Sequence, residues 1–427
     1  MEELVGKIEG TIPKKEEEIL QDKKEKLSKR LFSLVKDNYG KFFLLILVSA
    51  LVIRIIVFLK TFNQPVWWDA ADYLSAAIRW AGINPNLIDM WYYRRGLFWP
   101  LFEMIFFKVG VGEVGIRVFV VLFSTGLVAV SYFLIKEMYD KKLAIFVSIG
   151  MAFSWVILFF TGRPMTEIPS AFFLLTALLF FWKGYVNNKA KYNYYLFGLF
   201  FALACLTRMQ YVMFVVPLLA FVFTRERFGF LKNKYLWLSI LVFFIMFIPQ
   251  FYMQNKYFGN PIIDLSTYYL GIGNSQTGEV SSHVGSFSIS NLFLYFTNLP
   301  YLLDGNEKGY GTLLAFSPLY ILFILGFFYF FADLFLGIDH LFKNIEIQKK
   351  FFILFWIISI FMLLGFIAPH LEQRYAIQTL PFLFLIIASP YRWVEDFFNN
   401  KFKFNKGKIF IIVVIILILA SIPSVRF

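Results

Sequence analysis

Short runs of acids and arginines interrupt a sequence that is otherwise apolar. The first reads Trp67-Trp68-Asp69-Ala70-Ala71-Asp72-Tyr73. On a helix, Asp69, Asp72 and Tyr73 fall at i, i+3 and i+4 and share a face. Tryptophan and tyrosine favour the membrane–water interface. A carboxylate there can stay ionised and take a proton from a substrate held in the membrane. The plainer reading is a pair of solvated acids at a membrane edge. Arg94 and Arg95 come next. Guanidinium groups grip a phosphate in a planar fork, or they simply snorkel to lipid headgroups. The run Arg163-Pro164-Met165-Thr166-Glu167-Ile168-Pro169 supplies another acid. Here Thr166 or Glu167 could equally cap a helix that carries Pro169 in its first turn. Leu206-Thr207-Arg208 and Pro369-His370-Leu371-Glu372-Gln373-Arg374-Tyr375 complete the set. Arg54 stands apart, inside the first apolar stretch, where it either snorkels or faces a polar cavity.

The elements that must position these residues are apolar stretches. Of 427 residues, 59% are apolar and 16% charged, against about 45–50% and about 25% in soluble domains. The excess falls in blocks of roughly the 20 residues that cross a bilayer core. The blocks are 42–60, 97–109, 116–136, 143–161, 168–184, 194–206, 210–224, 235–253, 312–336, 351–368, 374–389 and 408–424. Basic residues gather before residue 42 and in the connections 136–142, 183–191, 225–234, 343–350 and 392–408. Such loops stay in the cytosol. Keeping them all inside requires that one block before residue 137 does not cross. Block 97–109 is short and holds Pro100, Glu103 and Lys108, which suits a re-entrant or interfacial segment. The apolar patch 289–303 must likewise not cross.

The expected architecture is an all-α polytopic membrane protein with about 11 transmembrane helices, plus interfacial or re-entrant helices in outer loops. Residues 1–41 form a charged cytosolic tail. The transmembrane domain covers 42–427, with outer loops 61–115 and 254–311. Within the tail, Ile19, Leu20, Leu27, Leu31, Leu34 and Val35 recur at helical spacing, so it is either a surface helix or a solvated tail. The same parity places 162–167, Arg208 and 369–373 outside with the first acids. A plasma-membrane protein with a cytosolic N-terminus is expected.

The net charge of +13 lies in the short basic loops, which argues against nucleic acid as a partner. A single cysteine, Cys205, cannot form an intrachain disulfide. His283, His340 and His370 lie far apart, and no zinc motif or glycine-rich phosphate loop is present. No cofactor is expected. Asp69, Asp72 and Glu167 could offer oxygen ligands to a divalent ion, although none is predicted.

In this order and on one side, the elements resemble the GT-C membrane glycosyltransferases over residues 40–390. The nearer relatives look like the protein O-mannosyltransferases and the lipid A aminoarabinose transferases. Asp69 and Tyr73 match the ends of that group's Asp-Glu-x-x-Tyr element. Ala70 replaces its second acid, with Asp72 as a candidate substitute. Arg94-Arg95-Gly96 through Pro100 to Gly110 is similar to its basic segment, without the usual prolines after the basic residue. Pro164 to Pro169 looks like its second acidic motif. Leu206-Thr207-Arg208 and Arg374-Tyr375 through Pro381 look like its arginine signatures.

The resemblance implies a polyprenyl or dolichyl phosphate sugar donor and an acceptor hydroxyl on a lipid, a glycan or a protein. It implies inversion at the outer membrane face, with Asp69 as general base. Asp72 or Glu167 would be the second acid. Arg94, Arg95, Arg208 and Arg374 would hold the lipid phosphate. Tyr73, Arg163, His370 and Glu372 would support donor or acceptor. Loop 254–311 could cover both substrates, and no large outer domain is expected after the last span. A transporter or flippase of lipid-linked sugar would also need many spans, but the acids lie at one face and no internal repeat is visible. An O-antigen ligase or polymerase type of enzyme would place more arginine and histidine in loop 254–311. A purely structural membrane subunit is the remaining alternative.

Overall fold

The computed structural model describes residues 37–66, 69–87, 91, 95–263, 289–305, 318–367, 372–403 and 405–421. The tail before Asp37, Trp67, Trp68, Arg94, His283, His370 and most of the expected outer loop 254–311 lie outside the described residues. The described part is helical, with no strand among its elements. Seven helices are long and apolar enough to cross a membrane: Asn38–Thr61, Gly112–Met138, Glu167–Val186, Lys234–Phe258, Pro318–Leu336, Ile345–Gly365 and Gln373–Phe402. The other expected spans are helical too, but shorter or broken. They are Lys141–Phe153 with Trp155–Phe160, Tyr192–Thr207, Met209–Phe214 with Val215–Glu226, and Lys406–Ser421.

We number the helices used below in chain order. They are α1 (Asn38–Thr61), α2 (Asp69–Trp80), α3 (Phe98–Lys108), α4 (Gly112–Met138), α5 (Lys141–Phe153), α6 (Trp155–Phe160), α7 (Glu167–Phe181), α8 (Tyr192–Thr207) and α9 (Lys234–Phe258). The peripheral long helices leave apolar rows uncovered. On α1 these include Leu45, Val48, Val52, Ile55, Ile56 and Leu59. Water would not tolerate so large an apolar surface, and lipid would. The interior is held by close helix contacts. Where α8 crosses α9, a Cβ on Gly198 would lie 2.2 Å from the Ser239 carbonyl oxygen, so only glycine lets the backbones meet.

Two departures from the sequence reading concern ionisable groups. Arg54 neither snorkels nor faces an open cavity. It is fully buried, and its guanidinium donates to the Met151 and Ala152 carbonyls at 3.1 Å each and to Ser124 Oγ at 2.8 Å. Those carbonyls end α5, whose helix stops at Phe153 because Ser154 turns to ψ 120°. The last carbonyls of any helix lack intrahelical donors, and Arg54 supplies them. The second is Glu103, whose charge helped mark block 97–109 as a re-entrant or interfacial segment. α3 is indeed short, 11 residues, or about 16 Å at the helical rise, roughly half a bilayer core. Yet Glu103 is fully buried beneath it. Burial pushes its carboxyl well above the usual carboxylate range.

The charged connections separate to two ends of the bundle. At one end, Lys142 pairs with Glu395 at 2.6 Å and Arg392 with Asp140 at 2.6 Å. Lys189 pairs there with Glu137 at 2.7 Å, and Lys141 with Asp37. The opposite end carries the first turn of α2, the start of α7 and the end of α8. The patch 289–303 forms short turns, Ile289–Phe293, Leu294–Thr297 and Leu299–Asp304, far too short to cross. The indole of Trp155 donates to the Tyr301 and Leu302 carbonyls, tying that patch to α6.

Candidate active site

Helix geometry explains why distant acids and arginines meet. α7 and α8 form an antiparallel hairpin, so Glu167 at the first residue of one lies beside Arg208, just past the end of the other. An acid at a helix start and a cation at a helix end also suit the two dipoles. Thr166 occupies the N-cap position of α7, but its side chain makes no capping bond. Its hydroxyl accepts from Arg208 at 3.4 Å. The helix-cap reading of this run is therefore incomplete, because these side chains face an arginine and not their own backbone.

Asp69 and Asp72 open α2, and the shared face expected from their spacing is present. Arg95 Nη2 reaches Asp72 at 2.5 Å and Asp69 at 3.2 Å. Arg374 Nη1 lies 3.4 Å from the other Asp69 oxygen and 3.1 Å from Glu167. Arg208 Nη1 closes on Glu167 at 2.8 Å. The result is one continuous row, Asp72–Arg95–Asp69–Arg374–Glu167–Arg208, drawn from five separate parts of the chain. Glu372 adds a further ion pair to Arg374.

Burial differentiates the members. The Asp69 side chain is 40% exposed and Asp72 24%, whereas Glu167 is 1% exposed. Within the row the two acids of α2 are the open ones, and Glu372 beside it is 27% exposed. Arg208 spends Nη1 and Nε on Glu167, Thr166 and Gln210, which leaves Nη2 without a partner among the described residues. Aromatic rings support the guanidinium groups. Tyr73 lies 4.9 Å from Arg95, and Tyr375 lies 4.6 Å from Arg208 and 5.2 Å from Arg374. Burial pushes the Tyr73 phenol up to about 12, so it acts as a neutral hydroxyl. Burial also opposes the charge on Arg95 and Arg208, but their anionic neighbours outweigh it and hold both cations above their ordinary range.

Of the other candidates, Arg163 goes elsewhere. It lies over the Phe159 ring and donates to Gln64 Oε1 at 3.0 Å. Arg117, a residue the sequence did not single out, stands beside it and bonds the Thr61 and Gln64 carbonyls. Arg94 and His370 lie outside the described residues. Among the described residues, no group of three acids, histidines or cysteines is placed to hold a metal ion, and Asp69, Asp72 and Glu167 make none.

Sequence reasoning also missed the support beneath Arg95. A Cβ on Gly96 would fall 1.8 Å from the Leu206 carbonyl oxygen, so the chain at residues 95–97 presses directly on the end of α8. The nearest atoms are all backbone, of Leu206 and Thr207, and backbone cannot yield. Gly96→Ala is therefore expected to destabilise the protein by about 1–3 kcal/mol through overpacking. A thermal melt in detergent checks this, and an unchanged melting temperature would contradict the close approach.

Residues 95–253 match the family model described as dolichyl-phosphate-mannose-protein mannosyltransferase. The fold is similar to ArnT from Cupriavidus metallidurans bound to undecaprenyl phosphate, with a TM-score of 0.59 at 14% identity, covering 82% of this chain and 60% of that one. The chain has the GT-C fold. A second GT-C structure is similar, the archaeal oligosaccharyltransferase AglB from Archaeoglobus fulgidus in complex with an inhibitory peptide and a dolichol-phosphate. There the TM-score is 0.57 at 15% identity, covering 91% of this chain and 56% of that one. The chain thus spans under two thirds of the length of these GT-C proteins. No curated protein matches the sequence.

Proposed function

We propose that this protein transfers a sugar from a polyprenyl phosphate carrier, undecaprenyl or dolichyl, to a hydroxyl acceptor at the outer face of the membrane. The observation that carries the reading is the row of alternating charges in which an exposed carboxylate, Asp69, stands between arginines. The matched family description and the lipid phosphates held by two proteins of similar fold support the donor class.

In this reading Asp69 accepts the proton of the acceptor hydroxyl. The acceptor oxygen forms a bond to the anomeric carbon while the bond from that carbon to the phosphate oxygen breaks. The configuration inverts through an oxocarbenium-like transition state. The departing lipid phosphate gains negative charge, and Arg208 and Arg374 meet it with donors already in place. Glu167 is too buried to touch a substrate. It holds Arg208 and Arg374 together, as Asp72 holds Arg95. Arg94 lies near enough in sequence to join them. The acceptor is a lipid, a glycan or a protein hydroxyl. The basic loops at the opposite end support a cytosolic reading of that end, and the cell membrane is the proposed location.

The test is sugar release from radiolabelled polyprenyl phosphate monosaccharides by purified protein, with and without a crude membrane acceptor. Arg208→Leu is expected to lower transfer about 10²–10³-fold, the usual loss when a preorganised donor to developing charge is removed. Glu167 keeps Arg374 in that variant, so folding should survive. Full transfer by Arg208→Leu would remove the leaving-phosphate role. A wild type that moves donor across vesicles without consuming it would replace transferase by transporter.

A further inference from the structure

Gln250 lies in the middle of α9, a long apolar helix, and is fully buried. A buried amide is costly unless both its ends are bonded. Gln250 satisfies both on one short piece of chain. Its Oε1 accepts from the Leu97 backbone N–H at 2.8 Å, and its Nε2 donates to the Arg95 carbonyl at 3.3 Å. The two bonded groups flank Gly96, whose other side presses on Leu206. The segment 95–97 is thus fixed from two directions by α8 and α9. Arg95 begins that segment, and its side chain joins Asp72 to Asp69.

We infer that Gln250 is a positioning residue, which holds the backbone of Arg95 so that its guanidinium bridges the two acids of α2. The inference rests on the reading of Asp69 as the base, with Asp72 anchoring Arg95 beside it. Gln250 touches no substrate and acts only through Arg95. Two consequences follow that a merely structural glutamine would not have. Freed from its clamp, Arg95 becomes accessible. Its effect on transfer also becomes inseparable from that of Gln250, since residues acting through one another are not additive.

Gln250→Met keeps the length of the side chain and removes both bonds; Gln250→Asn keeps the amide and shortens its reach. Ser239→Ala is the control, a buried polar change on the same helix whose hydroxyl bonds, among the described residues, the Leu236 carbonyl. In full-length protein in detergent, the arginine reagent phenylglyoxal should label Arg95 several-fold faster in both Gln250 variants than in wild type or Ser239→Ala, with mass spectrometry as the readout. Transfer should fall about 10–100-fold, the scale of loss for a small misplacement of a reacting group. Arg95→Met combined with Gln250→Met should transfer no more slowly than Arg95→Met alone. Unchanged Arg95 labelling in both variants overturns the inference, as does additive loss in the double variant. Melting that collapses in both variants also overturns it, since Gln250 would then serve the fold as a whole. If the wild type transfers no sugar, the transferase reading fails on its own, and the labelling still decides whether Gln250 holds Arg95.

Discussion

Asp69→Asn should abolish sugar transfer while the protein remains folded. The expected loss is about 10²–10⁴-fold, the range for removing a general base. The substitution is nearly isosteric and keeps an oxygen for Arg95 or Arg374. It removes only the charge and the capacity to take a proton. Asp69 is the most exposed acid of the row, so little packing depends on it. Asp72→Asn should cost less, because its role is to hold Arg95 at 2.5 Å. The measurement is release of label from polyprenyl phosphate sugar at saturating donor, beside a melting curve for each variant. Equal loss in both variants would assign the base to the pair, and full activity in Asp69→Asn would remove Asp69 from the chemistry.

Arg54→Leu should be the most damaging substitution for the fold. The guanidinium bonds the last carbonyls of α5 inside the bundle, and Ser124 and Thr161 extend the same network at 2.7 Å. Leucine would leave the buried Met151 and Ala152 carbonyls without this donor, while the Ser124 hydroxyl would keep its bond to Thr161. Each unsatisfied buried group costs about 1–3 kcal/mol, so the sum is a large share of a typical total stability of about 5–15 kcal/mol. Arg54→Lys should recover part of the loss, since an ammonium reaches fewer of these acceptors. Cys205 is the single cysteine and is fully buried. A thiol-reactive dye therefore reports unfolding directly. The midpoint should drop on the order of 10 °C for Arg54→Leu, and a drop within a degree or two would show that the carbonyls find other donors.

Particular residues show how far the sequence could be read. The apolar blocks became helices almost without exception, because the length of a bilayer core and the demand for internal hydrogen bonds leave few alternatives. Asp69 and Asp72 share a face because helical periodicity is local. The connections assigned by charge parity to one side, around Asp69, Glu167, Arg208 and Glu372, meet at one end of the bundle. Parity states only which end a residue occupies, however. It put Arg163 and Arg208 on the same footing, yet Arg208 joins the charged row while Arg163 turns to Gln64 and Phe159. Gln250 and Gln254, four residues apart in an apolar run, were a readable sign of a polar contact, but nothing local indicated that Gln250 would meet residues more than 150 positions earlier.

The sequence by itself determined the class of solvent, the helical character of the apolar blocks and the short list of ionisable residues that lipid would not tolerate without a reason. Each of those depends on composition and on spacings within one element. The tertiary structure alone decided the partners: which acid is open, which is locked between arginines, why Arg54 can be buried, and how the segment after Arg95 is gripped between two helices. Those outcomes depend on packing between helices distant in sequence, and on distances of 3 Å that a difference of one helical turn would destroy.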